Sequence, residues 1–492
     1  MPDSIRFYFR GKISSVDAVA PTRTLLQHLR EDLHCVGTKE GCAEGDCGAC
    51  MVVVGELQDD RIVLKPINAC IQLLPTMDGR ALFTVEDVRL ADGALHPVQQ
   101  AMVDSHGSQC GFCTPGFVMS LWALYENQAA QPTRFEIDDA LSGNLCRCTG
   151  YRPIIDAAQQ MNTLPKVAFD TAPVVEALKS IVRSELWSYR FGGDRFYAPQ
   201  TIPQLIDVID ANPTACLLAG STDIGLWVTK QFRTIGDMIY LGQVRELQRI
   251  GTDGEWLEIG AGVSLEAAYD AAIAVYPVLS ELRRRFASQP IRQAGTIGGN
   301  LANGSPIGDS MPWMIALDCQ LILNGKSGRR VIPLEDFYLD YQKTDLRPGE
   351  FVEAVRLPLP HPKKDRRFRT YKIAKRFDQD ISAVCAAFCV SVDDGIVSEA
   401  RMAFGGMAGT PKRASHGEVA LSGQAWSEAA VRRAMTALAN DFSPLSDMRA
   451  SAAYRLKVAQ NLLYRFWLET RDEAPLAPSA LNVFASLPDT LS

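Results

Sequence analysis

Eight of the thirteen cysteines in this 492-residue chain fall into two tight sets near its N-terminus. The first set lies in GCAEGDCGAC, where Cys42, Cys47 and Cys50 are spaced C-x4-C-x2-C, and Cys70 follows in NACIQ. The second lies in QCGFCTPG, with Cys110 and Cys113, and closes with Cys146 and Cys148 in NLCRCTGYRP. Thiols at these intervals force the backbone into loops that turn four sulfurs toward one point. Few folds satisfy that demand twice.

A [2Fe–2S] cluster needs four thiolates on two irons, and C-x4-C-x2-C with a distant fourth cysteine is the plant-type ferredoxin spacing. Three ligands then come from one closely wrapped loop. Gly41, Gly45 and Gly48 suit it, because glycine accepts positive φ and lets backbone amides approach sulfur. A disulfide framework is the first alternative; the chain is long and shows no signal peptide, which argues against it. Zinc is the stronger rival, yet C-x4-C-x2-C does not divide into the two knuckles zinc usually takes.

The second set, C-x2-C followed much later by C-x-C, could hold zinc or a cluster on spacing alone. Its flanks favour a small helical bundle. Thr114 and Pro115 read as an N-cap and first helical residue, with Phe117, Leu121 and Leu124 at helical spacing after them. A second helix is expected from Tyr151-Arg-Pro, with Ile154, Ile155 and Ala158 on one side. A cluster held between helix ends fits this pattern.

The length implies several domains. MPDSIRFYFRGK lacks the apolar stretch of a signal peptide. It reads instead as a strand with Ile5, Phe7 and Phe9 on one face, turning at Gly11-Lys12. No apolar run is long enough to span a bilayer, and a net charge of −7 suggests neither nucleic acid nor an anionic membrane as partner. A cytoplasmic protein is the expectation. The fold class expected is multi-domain α+β. Residues 1–84 would form a β-grasp ferredoxin-like domain with one helix around Leu25, Leu26 and Leu29. Residues 85–162 would form a helical domain with the second cysteine set, and 163–186 a linker. Residues 187–362 read as mixed α/β. Residues 363–492 would be a smaller C-terminal domain, strand-like at Val384–Val390 and helical at Ala452–Trp467.

The α/β region holds two small-residue loops, LLAGSTDIGL (217–226) and AGTIGGNLANGSPIGDSMP (294–312). Successive backbone amides in such loops make concavities suited to a pyrophosphate. Either alone could be a simple turn. Neither matches G-x-G-x-x-G, which disfavours a Rossmann dinucleotide site. The basic stretch KKDRRFRTYKIAKR (363–376) could steer anionic nucleotides, although a solvated face explains most of its charges; the same holds for Arg283–Arg285. Cys35, Cys216, Cys319, Cys385 and Cys389 read as packing residues.

Taken in order, GCAEGDCGAC, QCGFCTPG and LCRCTGYRPI resemble the paired-cluster module of the molybdenum hydroxylases, the family of xanthine dehydrogenases and aldehyde oxidases. The resemblance covers nearly the whole sequence, through about residue 475. It implies [2Fe–2S] clusters on Cys42, Cys47, Cys50 and Cys70 and on Cys110, Cys113, Cys146 and Cys148. It also implies an FAD-binding domain of the vanillyl-alcohol-oxidase type. In that likeness Leu217, Leu218, Ala219, Gly220, Ser221, Thr222, Asp223 and Ile224 form the first FAD segment, with Ser221 where related enzymes carry asparagine. Thr296, Gly299, Asn300 and Asn303 line the diphosphate and ribose. Asp309 and Lys372 make polar contacts, Val352 an apolar one, and Phe286 sets a ring against the flavin. Tyr341 matches a tyrosine near the nicotinamide of NAD, with an ordinary core or rim tyrosine as the alternative. The loop Phe377–Asp380 matches an acidic segment controlling NAD access, but Gln379 stands where an aspartate is usual.

The clusters-then-flavin order resembles the small subunit of bacterial xanthine dehydrogenases. It implies a molybdopterin-binding large subunit as partner, docked near Gln109, and a dimer of such pairs. Electrons from hypoxanthine or xanthine would then reach NAD through clusters and FAD, and no residue here would attack substrate. An aldehyde or N-heterocycle hydroxylase would use the same chain. A redox scaffold or sensor without turnover is the reading of a different class.

Overall fold

The computed structural model describes residues 4–128, 130–361 and 365–481, which gather into two compact units. The first comprises Met1–Glu246, Ser264–Glu266 and Ser288–Thr296, and the second the remainder. The boundary falls inside the 187–362 region expected to be one domain.

The first unit begins with a five-stranded sheet of β1 (Ile5–Phe9), β2 (Lys12–Val16), β3 (Met51–Gln58), β4 (Arg61–Asn68) and β5 (Ala81–Phe83). Its order is β2-β1-β5-β3-β4, with β1 and β5 parallel. Alternation assigns the faces. Ile5, Phe7 and Phe9 point into one core with Val52 and Val54, while Met51 and Val53 on the opposite face join a helical core. A run buried on both sides explains why MVVV is wholly apolar. The helical core comes from Pro97–Asp104, Thr114–Asn127, Arg134–Leu141 and Arg152–Gln160.

Residues 163–186, expected as a linker, instead include a helix at Ala172–Ile181 that buries Val174, Leu178 and Ile181. Their i, i+4, i+7 spacing is a helical stripe. Beyond it lies a four-stranded sheet of β6 (Trp187–Phe191), β7 (Asp194–Ala198), β8 (Cys216–Leu218) and β9 (Met238–Tyr240), ordered β6-β7-β9-β8. Trp187, Phe196 and Tyr240 share the Phe7–Val52 core.

The second unit holds an antiparallel sheet of β10 (Ile250–Asp253), β11 (Trp256–Gly260), β12 (Gln320–Asn324) and β13 (Arg330–Pro333) together with the later β16. A small hairpin of β14 (Tyr338–Asp340) and β15 (Lys343–Thr344) precedes β16 (Phe351–Pro358). The order is β10-β11-β16-β12-β13. A meander of β17 (Arg366–Ile373), β18 (Val384–Asp393), β19 (Ile396–Gly405) and β20 (Lys412–Arg413) follows. It packs Phe388 and Phe404 against the 19-residue helix Ala452–Thr470 through Phe466 and Leu463. Among the described residues no helix is long and apolar enough to cross a membrane.

Candidate cofactor site

The first cysteine loop is shaped by glycine. Gly45 and Gly48 adopt φ of +80° and +69°. A Cβ on Gly41 would stand 2.8 Å from Cys47 Sγ, and one on Gly48 2.2 Å from the Gly143 carbonyl. The sulfurs converge as a result: Cys42 is hydrogen-bonded to Cys47 and Cys70, and Cys50 to Cys70. These bonds drive Cys42 and Cys50 toward the thiolate and hold the Cys47 and Cys70 thiols protonated. The amides of Asp46 and Cys47 both donate to Cys42 Sγ at 3.4 Å, and Asn68 Nδ2 to Cys50 Sγ at 3.9 Å. Converging thiols, inward N–H donors and no room for side chains fit a [2Fe–2S] group. Among the described residues no three His, Cys, Asp or Glu side chains are gathered as for a single ion; a two-iron core spreads its ligands over two metals.

In the second set Cys113 occupies the N-cap of helix Thr114–Asn127, so that Thr114, expected as the cap, is the first helical residue and donates its hydroxyl to Ser108 at 2.7 Å. Cys146 and Cys148 lie in the turn before helix Arg152–Gln160, which Tyr151 enters at φ +69°. The Tyr151 hydroxyl accepts from the Cys146 amide at 3.1 Å. Hydrogen bonds pair Cys113 with Cys146 and Cys110 with Cys148. Burial pushes the Cys113 thiol up to about 12. Cys110, Cys148 and Gln109 are exposed, as are the apolar Val103, Phe112 and Leu145.

The two cysteine loops touch at backbone distance. Leu145 N donates to the Cys47 carbonyl at 3.0 Å, Lys39 Nζ to the Gly111 carbonyl at 3.1 Å, and a Cβ on Gly116 would lie 2.1 Å from the Gly48 carbonyl.

The first small-residue loop rests on the first cysteine loop. Leu217 and Leu218 end β8, and the chain turns through Ser221 at φ +63°. Ser221 Oγ donates to the Ile71 carbonyl at 2.7 Å, a Cβ on Gly225 would stand 2.4 Å from that same oxygen, and Thr229 Oγ1 donates to the Ala43 carbonyl at 2.7 Å. Ala219, Thr222 and Ile224 are half-buried and Asp223 is exposed.

Helix Gln289–Ala294 was not singled out from the sequence, yet it touches three loops at once. Ile291 faces Gly45, Pro290 lies 2.5 Å from where a Gly143 Cβ would be, and the Ala294 carbonyl 2.0 Å from where a Gly220 Cβ would be. Arg292, wholly buried, donates to Glu266 at 2.5 Å and Asp139 at 2.6 Å. Burial opposes its charge; the two acids overcome that and raise its pKa. Thr296 bridges to Ser264.

Within the second unit, Lys372 Nζ and Ser382 Oγ each donate to Asp309 at 2.5 Å, and all three are buried. The lysine and aspartate expected as separate FAD contacts are thus paired. Val352 is buried in β16, Asn303 and Gly299 are exposed, and half-buried Asn300 leaves Oδ1 without a hydrogen-bond partner among the described residues. The Phe286 ring lies 5.4 Å from Tyr269, whose hydroxyl meets Ser310 and Trp313, each at 3.2 Å. Tyr341, just beyond β14, is 59% exposed. Gln379 takes φ +58°, flanked by the Arg376–Asp380 ion pair at 2.6 Å. Of the basic stretch, Lys363 and Lys364 lie outside the described residues, while Arg366, Arg367 and Lys375 are spent on Cys389, Asp472 and the Met448 carbonyl. Cys216 is half-buried; Cys35, Cys319, Cys385 and Cys389 are buried.

Four family models match successive stretches. A 2Fe-2S iron-sulfur cluster binding domain covers residues 7–73 and a [2Fe-2S] binding domain 84–159. An FAD binding domain in molybdopterin dehydrogenase covers 189–360, and a CO dehydrogenase flavoprotein C-terminal domain 369–470. Xanthine dehydrogenase of Emericella nidulans is 34% identical over 98% of this chain and 40% of its own length. Aldehyde oxidase 1 of Bos taurus is 30% identical over 94% and 39%. The chain therefore spans about two fifths of the curated relatives it matches. A carbon monoxide dehydrogenase structure from Hydrogenophaga pseudoflava, 27% identical, superposes with a TM-score of 0.52 over 55% of this chain and 94% of the other. Quinoline 2-oxidoreductase from Pseudomonas putida 86, 26% identical, gives 0.51 over 57% and 97%. Two iron–sulfur domains followed by a flavin domain define a redox protein. The chain belongs to the molybdenum hydroxylase family and carries its 2Fe-2S and FAD-binding domains.

Proposed function

We propose that this chain is the iron–sulfur and FAD subunit of a xanthine dehydrogenase, taking electrons from hypoxanthine or xanthine at a partner's molybdopterin and delivering them to NAD. The observation that carries it is the backbone contact running from the second cysteine loop to the first, and from the first to the flavin loop, all in one unit. When bound, the clusters supply one-electron transfer and FAD supplies the two-electron exchange with nicotinamide.

In this reading Cys110, Cys113, Cys146 and Cys148 hold the cluster that faces the partner. The exposed surface of Gln109, Phe112 and Leu145 gives that partner an apolar place to dock. Cys42, Cys47, Cys50 and Cys70 hold the other cluster, screened by a loop without side-chain bulk. Leu217–Ile224, Thr296, Phe286, Gly299, Asn300, Asn303, Asp309, Val352 and Lys372 bind FAD, with the Lys372–Asp309–Ser382 group fixing one polar end. Tyr341 meets the nicotinamide from the rim.

The test is anaerobic xanthine-dependent NAD reduction by this chain combined with its molybdopterin partner. Turnover supports the reading. If NADH bleaches clusters and flavin but xanthine does not, the electron path stands and the purine assignment falls. A hydroxylase for aldehydes is the second reading, favoured by the equal 30% identity to aldehyde oxidase 1 and to several xanthine dehydrogenases; aldehyde-driven bleaching would select it.

A further inference from the structure

Resting on that reading, we propose that Asn144 is a positioning residue that sets the difference in reduction potential between the two clusters. Asn144 is 3% exposed. Ser120 Oγ donates to its Oδ1 at 2.7 Å, which holds the amide with Nδ2 turned away from Ser120. Its Nδ2 is buried and has no hydrogen-bond partner among the described residues.

That nitrogen lies in the seam between the cysteine loops, 2.7 Å from where a Cβ on Gly48 would stand and 3.3 Å from where one on Gly116 would. Gly48 follows Cys47 directly, Gly116 comes three residues after Cys113, and Asn144 itself is two residues before Cys146. Glycine at both flanking positions leaves the amide no side chain to bond.

An orphaned buried donor is costly, so one that is held in place asks for an explanation. Here the explanation is charge. Reduction adds an electron on one side of the seam or the other, and hydrogen-bond dipoles around sulfur shift cluster potentials. In a dry interior such a dipole acts with little screening. An N–H dipole clamped off-centre favours the reduced form of the nearer cluster more than that of the farther one. Ser120 keeps it from averaging out by rotation.

The experiment is an EPR-monitored redox titration of the full chain, with iron per chain measured alongside. Asn144→Leu keeps the branching at Cγ and removes the dipole. It should alter the one-electron equilibrium between the clusters at least threefold, about 28 mV, with iron unchanged. An unchanged gap at full iron content overturns the proposal. Should Asn144→Leu lose iron, Ser120→Ala decides instead. A shift with both clusters retained supports the role of the clamped amide, and no shift means that Asn144 only packs. A wild-type chain without two distinct cluster signals would instead overturn the electron-transfer reading itself.

Discussion

Arg292 offers the sharpest test of how the cofactor loops are held. Its guanidinium is fully buried and bridges Asp139, before the second half of the second cysteine set, to Glu266. Replacing it with methionine keeps the apolar stem and takes the cation away from two carboxylates, whose own side chains are only 17% and 10% exposed. Breaking a buried ion pair by removing one partner costs about 3–5 kcal/mol. Arg292→Lys, which keeps the charge but cannot fork to both acids, should cost about 1.5–3 kcal/mol, the worth of one charge-assisted hydrogen bond. The assay is guanidinium unfolding followed by tryptophan fluorescence, with iron and flavin content measured on the folded protein. Because the helix of Arg292 touches Gly45, Gly143 and Gly220, iron and flavin should fall together in Arg292→Met. Adding Asp139→Leu and Glu266→Leu to that variant should restore most of the stability, since apolar replacement of a whole buried ion group is often neutral. A loss under about 1 kcal/mol for Arg292→Met would refute the argument.

Glu56 supplies a pH test. Burial alone would raise its pKa, but Arg80 and Lys65 overcome this and bring it to about 2. A folded-state pKa below the unfolded value stabilises above about pH 4.5. That contribution, about 3 kcal/mol, is lost as the pH falls toward 2, and Glu56→Gln should flatten that limb of the stability–pH curve. Gly48→Ala puts a Cβ 2.2 Å from the Gly143 carbonyl at φ +69°; backbone strain of about 1–2 kcal/mol and overpacking of about 1–3 kcal/mol should appear as lost iron. Gly220→Ala, 2.0 Å from the Ala294 carbonyl, should deplete flavin while the iron signal remains. Lys372→Met leaves Asp309 buried with Ser382 alone; flavin absorbance per chain should drop at least several-fold, and full flavin occupancy would remove Lys372 from the site.

Spacing made the thiol loops legible because four sulfurs on one centre leave the chain few choices. Alternation placed β1 and turned β2 at Gly11-Lys12, and helical spacing found the helices of Phe117 and Ile154. Other features rest on partners far apart in sequence. Asp309 and Lys372 each read as a cofactor contact, but nothing local shows that they meet each other. Arg292 sits in a short segment, QPIRQAG, where a buried arginine looks the same as an exposed one. The helix at Ala172–Ile181 was missed although Val174, Leu178 and Ile181 carry its stripe, because the residues before it have no pattern and drew the segment into a linker. The Asn144 amide is visible only once Gly48 and Gly116 are brought to it from either side.

The seat of the flavin loop has a consequence for maturation. Ser221 and Thr229 bond to carbonyls beside Cys70 and Cys42, so the first small-residue loop is seated on the backbone that carries two of the proposed cluster ligands. The contact is mutual, so a cysteine loop that does not close leaves the small-residue loop without its floor. Under the proposed assignment, cells short of iron should therefore accumulate this chain short of flavin as well.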